Sequence, residues 1–169
     1  MAQSPKVIKL FQALVDTQST NGAAKECKLP DLKRKLEEYR PGGFDMPMFI
    51  DTGGEAMTAE TTFAGMVTDN LESYGTPIHN KSMLHYMGAY ENQDTGEYDS
   101  IEVIMRGRHT WDLPTAKPGE IGETKMKTHI SYYKLIVNGK THIEVDVTAA
   151  KFIVAGVDRL AEARAAAGL

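Results

Sequence analysis

The residues best equipped for chemistry in this chain are five histidines, one cysteine and two short acidic clusters. His79, His85, His109, His129 and His142 stand alone; none has a second histidine two or four residues away. Local spacing therefore gives no support to a metal centre. Cys27 has no histidine near it in sequence, so a structural thiol explains it better than a nucleophile. Glu37-Glu38, and Glu144 with Asp146, would suit acid–base work only if other groups converged on them. No motif supplies such groups: the chain has no G-x-S-x-G, no phosphate-binding glycine loop and no G-x-G-x-x-G. Gly42-Gly43 and Gly53-Gly54 read as turns, and the acids as solvated or interfacial charge. Two basic clusters, Lys33-Arg34-Lys35 and Arg106-x-Arg108, lie too close to Glu37, Glu38 and Glu102 to make strong phosphate contacts. Pairing with a second subunit and simple solvation both account for Lys33, Lys35, Arg106 and Arg108. The expectation is a protein with no catalytic residue, no metal and no cofactor.

The elements that carry these residues belong to one domain over residues 1–169, long enough for a real core. Hydrophobic residues make up 41% and charged residues 25%, an ordinary globular balance. A net charge of −4 argues against a free-standing nucleic-acid binder, which needs a basic face. A single cysteine rules out an intrachain disulfide and fits a reducing compartment. The opening MAQSPKVIKLFQALVD lacks a signal-peptide layout, and no run of 18 apolar residues is present, so no membrane role is expected.

Most segments read as strands. Lys6–Val15 is a strand, Asp16–Gly22 a turn cluster, and Ala24–Lys28 the returning strand. Leu29–Arg40 taken alone reads as a helix, capped at Asp31 with Leu32, Leu36 and Tyr39 on one face. Pro41–Ala56 is a glycine- and proline-rich excursion with an apolar middle, either a contact loop or one folding back on its own core. Met57–Gly65 is a strand, and Thr68–Tyr74 a short helix capped by Thr68 and stopped by Gly75. Ser82–Tyr90 and Tyr98–Thr110 pair across the turn Asn92–Gly96, with Ile101, Val103 and Met105 on one side. Trp111–Gly122 is a long loop, and the Ala-rich stretch Asp158–Leu169 a short helix ending at Gly168. Six or more strands at hairpin spacing, with one or two short helices, give a mainly β fold, a sandwich or barrel.

The firmest turn is Asn138-Gly139 within HISYYKLIVNGKTHIEVDV, residues 129–147. A type I′ turn there pairs Val137 with Lys140 and, at constant register, Tyr132 with Val145. Ile130, Tyr132, Lys134, Ile136, Thr141, Ile143, Val145 and Val147 then share one face. Ser131, Tyr133, Leu135, Val137, Lys140, His142, Glu144 and Asp146 share the other, which is apolar on one strand and acidic on its partner.

Several blocks in order carry a family resemblance. They are Leu29-Pro30-Asp31-Leu32 with Lys35, Glu37, Tyr39-Arg40 and Gly42-Gly43; Val103 to Arg108; and Ser131 to Leu135. Asn138-Gly139-Lys140, Ile143 to Asp146, Gly156 to Leu160 and Gly168-Leu169 complete the series. Together they resemble the major tail tube protein of contractile-tailed bacteriophages, a family shared with R-type pyocin tubes. Residues 68–90 depart from the family pattern, and no role is carried over there. The resemblance implies a β-sandwich or barrel subunit whose inner sheet joins its neighbours into hexameric rings. The rings stack into a tube within a contractile sheath. It implies an extended strand in place of the helix at Leu32–Tyr39. It also implies that the loop 41–56, with Phe44, Met46, Met48, Phe49 and Ile50, reaches a neighbouring ring.

In this reading the partners are further copies of the chain, the sheath protein, a baseplate initiator, a tail terminator and a tape measure protein in the lumen. DNA passes through without specific binding. The location is the virion tail, assembled in the host cytoplasm. A ring of six would carry a charge of roughly −24, and Glu144 and Asp146 are the expected lumen-facing acids. Lys33, Lys35, Arg106 and Arg108 are the expected intersubunit ion-pair residues. The alternatives are the tube of an R-type bacteriocin or secretion device without DNA, and a β-barrel enzyme or small-ligand binder, which would need a pocket with convergent polar groups.

Overall fold

Alternation of apolar and polar residues dominates the chain, and strands follow from it. A computed structural model describes residues 4–169. Its strands are β1 (Lys6–Val15), β2 (Gln18–Ser19), β3 (Ala24–Lys28), β4 (Arg34–Tyr39), β5 (Met48–Gly54) and β6 (Met57–Ala64). They continue as β7 (Ser82–Asn92), β8 (Tyr98–Asp112), β9 (Glu123–Val137), β10 (Lys140–Asp146), β11 (Lys151–Val154) and β12 (Val157–Asp158), followed by the helix α1 (Ala161–Ala167). One sheet runs β12-β11-β10-β9-β8-β7-β1-β2, with β6 and then β3 branching from β9. A separate ribbon holds β4 and β5.

β9 explains the two layers. Its first half, Glu123 to Ile130, pairs with β6. Its second half, Tyr132 to Val137, pairs with β10. β8 follows it along nearly its whole length. The sheet therefore folds over itself, and the core lies between the layers. Val15, Ala59, Phe63, Leu84, Val103, Met105 and Met126 are all fully buried there. Burying such side chains contributes about 1.5–3 kcal/mol each for the larger ones.

A bulge sits where β9 changes partner. Arg106 faces Tyr132 and Gly107 faces Ile130, so Ser131 is the extra residue. The core-facing positions switch parity there, from Thr124, Met126, Thr128 and Ile130 to Tyr133. Gly107 is required at this crossing, because a Cβ on it would lie 1.8 Å from the His129 carbonyl oxygen.

The strands expected from alternation are present, but several details differ. β3 does not return along β1; it pairs with β6, because the short strand β2 already occupies the end of β1 at Leu14 and Val15. Thr68–Tyr74 forms only the 3₁₀ turn Leu71–Ser73, with Asn70 rather than Thr68 at its start and no side-chain cap. So short a segment pays helix nucleation without enough bonds to offset it. The loop after β8 starts at Leu113, since β8 runs on to Asp112 while Trp111 stacks on Phe63 at 6.1 Å. The second half of Pro41–Ala56 is not loop: β5 occupies Met48–Gly54 and pairs back on β4. Within Leu32–Tyr39, Arg34–Tyr39 is an extended strand rather than a helix, in line with the family resemblance. The C-terminal helix ends on Gly168, left-handed at φ 72°, whose amide bonds the Ala165 carbonyl.

The turn at Asn138-Gly139 has φ of 50° and 76°, and Val137 pairs with Lys140 as expected. The distal register does not hold. A bulge at His142 sets Tyr133 opposite Val145 and Tyr132 opposite Asp146. Each set of residues expected on one face is thereby divided. Tyr133, Leu135, Ile143 and Val145 belong to the core, while Tyr132, Lys134, Glu144 and Asp146 share the opposite face.

A histidine ring is buried beside the core. His109 is 3% exposed, its Nδ1 is 2.9 Å from the Thr128 hydroxyl, and its Nε2 has no hydrogen-bond partner among the described residues. Burial pushes the imidazole below its usual range, and the Asp16 carboxylate and Met83 carbonyl oppose this only in part. The folded chain thus resists the proton while the unfolded chain takes it near pH 6.5. Stability is full above that pH and falls as pH drops below it, with a slope of up to about 1.4 kcal/mol per pH unit. Urea midpoints of wild type and H109Q between pH 7.5 and 5 check this. The variant should lose that part of the slope, and equal slopes would show that His109 does not carry it.

Candidate assembly surfaces

The ribbon places most of the exposed apolar side chains expected at a contact. Pairing of Glu37 with Ile50, Glu38 with Phe49 and Tyr39 with Met48 carries the chain away from the sandwich. Phe44 and Met46 sit at the tip between the strands. Phe44, Met46, Met48, Phe49 and Ile50 are all exposed, Met46 at 75% and Phe49 at 63%, and Leu36 and Tyr39 join them. Among the described residues, neither strand of the ribbon pairs with any other strand.

Arg34 anchors the ribbon at its root. Its Nε donates to Asp51 at 2.8 Å, and its guanidinium lies 5.2 Å from the Phe152 ring centre on β11. Arg34 and the Gly53 amide hold the Asp51 carboxyl below its usual range. The flanking cations do less: Lys33 meets Asp31 at 3.3 Å and Lys35 meets Glu37 at 3.2 Å, all exposed. Reading the basic cluster by charge alone passed over Arg34, the one member with a stacking partner, because Phe152 lies 118 positions away in a strand that only the fold brings near.

The second surface is the outward face of the long sheet. Rows of directly opposed residues cross it: His85, Ile104, Lys134, Glu144 and Ile153 in one, and Met83, Arg106, Tyr132, Asp146 and Lys151 in the next. Glu144 accepts the Tyr132 hydroxyl at 2.9 Å, and Arg106 lies over the Tyr132 ring at 5.6 Å. Burial and the Glu144 carboxylate push the Tyr132 phenol up to about 12. Burial raises the Asp146 carboxyl, but bonds from the Thr148 hydroxyl and the Thr148 and Ala149 amides outweigh it and leave the group below its usual range. Asp146 thus closes the turn after β10. Arg108 reaches the other way and donates to the Pro77 carbonyl at 3.1 Å.

A third surface was not singled out from the sequence. From Lys6 to Gln12, β1 pairs with β7 on one side and with no described strand on the other. Val7, Ile8 and Leu10 are exposed along this edge, Leu10 at 76%. The signal was present as consecutive apolar residues on both faces of a ten-residue strand.

Little here resembles a reaction centre. Glu37 and Glu38 lie on the ribbon, far in sequence and sheet from Glu144 and Asp146, so the two acidic clusters do not meet. His85 Nε2 is 2.6 Å from Glu102, an isolated pair. Among the described residues no group of three or more histidine, cysteine or acidic side chains is set to hold a metal. Cys27 is half-buried beside Thr61, and burial pushes its thiol up, away from nucleophilic use. Among the described residues no helix is long and apolar enough to cross a membrane.

Comparison with known proteins identifies the family. Residues 5–168 match the model of phage tail tube protein FII. The chain belongs to that family. It is 34% identical over 169 residues to the tail tube protein of Escherichia phage P2, covering 98% of each chain. It is 33% identical over 146 residues to the major tail tube protein of Serratia phage KSP20, covering 85% of this chain and 84% of that one. Two solved structures share the fold at 12% identity. One is from the sheath–tube complex of an extracellular contractile injection system (TM-score 0.54, 79% of this chain and 91% of that one). The other is the tube-terminating cap of the anti-feeding prophage (TM-score 0.58, 80% and 93%). Tail tube proteins of this family are structural and form no enzyme class.

Arg34 gives the ribbon a testable anchor. R34A should leave global stability within about 2 kcal/mol, since an exposed ion pair and an exposed cation–π contact are each worth about 1 kcal/mol or less. It should speed hydrogen exchange selectively in β4 and β5. Unchanged exchange in both strands would show that Arg34 does not hold the ribbon.

Proposed function

We propose that the chain is the major tube subunit of a contractile phage tail, polymerising as stacked hexameric rings that conduct DNA into the host. The observation that carries this is the 34% identity to the tail tube protein of Escherichia phage P2 over nearly the full length of both chains. The exposed surfaces agree with it. An open strand edge bearing Val7, Ile8 and Leu10 is an association hazard in a lone subunit and a joint in an assembled one. A ring needs one patch of each subunit to meet a different patch of the next. β1 lies toward one end of the sheet and the two-residue β12 at the other, which suits such a contact.

The ribbon with Phe44, Met46, Met48, Phe49 and Ile50 reaches an adjacent ring and buries apolar surface there. Lys33, Lys35 and Arg108 pair with acids of neighbouring subunits, while Arg106 stays over Tyr132 on its own sheet face. The sheath protein, a baseplate initiator, a tail terminator and a tape measure protein complete the partner set, in a virion tail built in the host cytoplasm. A bacteriocin or secretion tube without DNA is the second reading. The likeness to injection-system components favours it, but at 12% identity against 34% for the phage relative it stands behind.

Electron microscopy of the purified protein at rising concentration tests the proposal. Rings or hollow tubes are expected, and a protein that stays monomeric at millimolar concentration would refute it. F44S/M46S, which spares the paired strands of the ribbon, should keep the fold and ring formation yet shorten or abolish tubes. Normal tubes from that variant would remove the inter-ring role of the tip.

A further inference from the structure

At its centre the outward face of the long sheet carries as many cations as acids. Its central acids are Glu102, Glu144 and Asp146, and its central cations Arg106, Lys134 and Lys151. Each acid has a partner on the same face. Glu102 meets His85 at 2.6 Å. Glu144 stands directly across from Lys134 and holds the Tyr132 hydroxyl. Asp146 stands across from Lys151. Nearer the edge, Lys9 and Glu91 pair at 2.8 Å. Glu144 and Asp146 therefore do not make this face acidic, because the neighbouring strands supply cations of equal number.

We propose that this face lines the channel and that its charges are compensated in place, so that a DNA backbone moving along it is neither held nor repelled. The inference rests on the tube reading above. The physical reason is that proteins gain DNA affinity by letting Lys and Arg neutralise phosphates and release their counterions. Lys134 and Lys151 already face carboxylates on the next strand, and the Arg106 guanidinium lies over the Tyr132 ring, so these cations have little left to offer a phosphate. Ring symmetry repeats the pattern around the wall, so the cancellation holds at every angle and one sign never dominates the field.

Two experiments on assembled tubes test this. In the first, E144C tubes in a C27S background are treated with a small maleimide and with a gold-conjugated thiol reagent too large for the bore. Reaction with the small reagent alone is expected, and reaction with both would place the face outside and overturn the inference while leaving the tube reading intact. In the second, short fluorescent single-stranded DNA is incubated with open tubes across a salt series. Wild-type tubes should retain no DNA at any salt concentration. E102Q/E144Q tubes should retain at least tenfold more at low salt, falling steeply as salt rises. Salt-dependent retention by wild type, or no gain in the variant, would overturn the compensation. E144Q alone, which keeps the His85–Glu102 pair, gives the same comparison with a smaller gain if the double variant does not assemble. Wild-type protein that forms no tubes contradicts the tube reading itself.

Discussion

The contact of Gly107 with the His129 carbonyl is the constraint on which the rest of the molecule depends. Only a residue without Cβ lets β8 and β9 cross so closely, and the crossing is where β9 bulges at Ser131. That bulge lets one strand serve two layers, β6 before it and β10 after it. It also sets which side chains face inward on each half. Met126, Thr128 and Ile130 enter the core from the first half and Tyr133 from the second. Without the change of parity, Tyr132 would turn inward and Tyr133 outward. The outward rows of alternating charge would then be broken.

A fold built on two long shared strands leaves its ends unfinished. β1 has an open side, and the ribbon carries its apolar residues out of reach of the core. A solitary sandwich would blunt such features with charges, prolines or short strands. Here the edge keeps Val7, Ile8 and Leu10, and the ribbon keeps Phe44, Met46 and Phe49. Surfaces that are hazards for one chain become joints when copies meet, which is the economy of a tail tube subunit. Chemistry is correspondingly sparse: the buried His109 and half-buried Cys27 are held by threonines, and carboxylates such as Asp146, Glu91 and Asp158 cap turns or pair with lysine and arginine.

Local rules made much of this legible in the sequence. Alternation found the paired strands β7 and β8, and Asn138-Gly139 found the β9–β10 turn, because both depend on near neighbours. The extended state of Arg34–Tyr39 was not legible from its residues, whose spacing suits a helix; only the family resemblance supplied it. Partners across the ribbon decide that segment, with Glu37 to Tyr39 bonded to Met48 to Ile50. The bulges at Ser131 and His142 were hidden for a different reason. A strand read alone has no register, and one extra residue moves every later side chain to the other face. The expected faces of the β9–β10 hairpin were accordingly mixed, and the charge balance around Glu144 became visible only once Lys134 stood opposite it.

The account turns on β1 gaining a second partner strand when subunits assemble. Hydrogen–deuterium exchange resolved to single amides, compared between free subunit and purified tubes, reads this directly. Amides of Lys6 to Gln12 that point away from β7 should exchange rapidly in the free subunit and slow by at least a hundredfold in tubes. Equal exchange in both states would contradict it, since the edge would then remain open in the finished assembly.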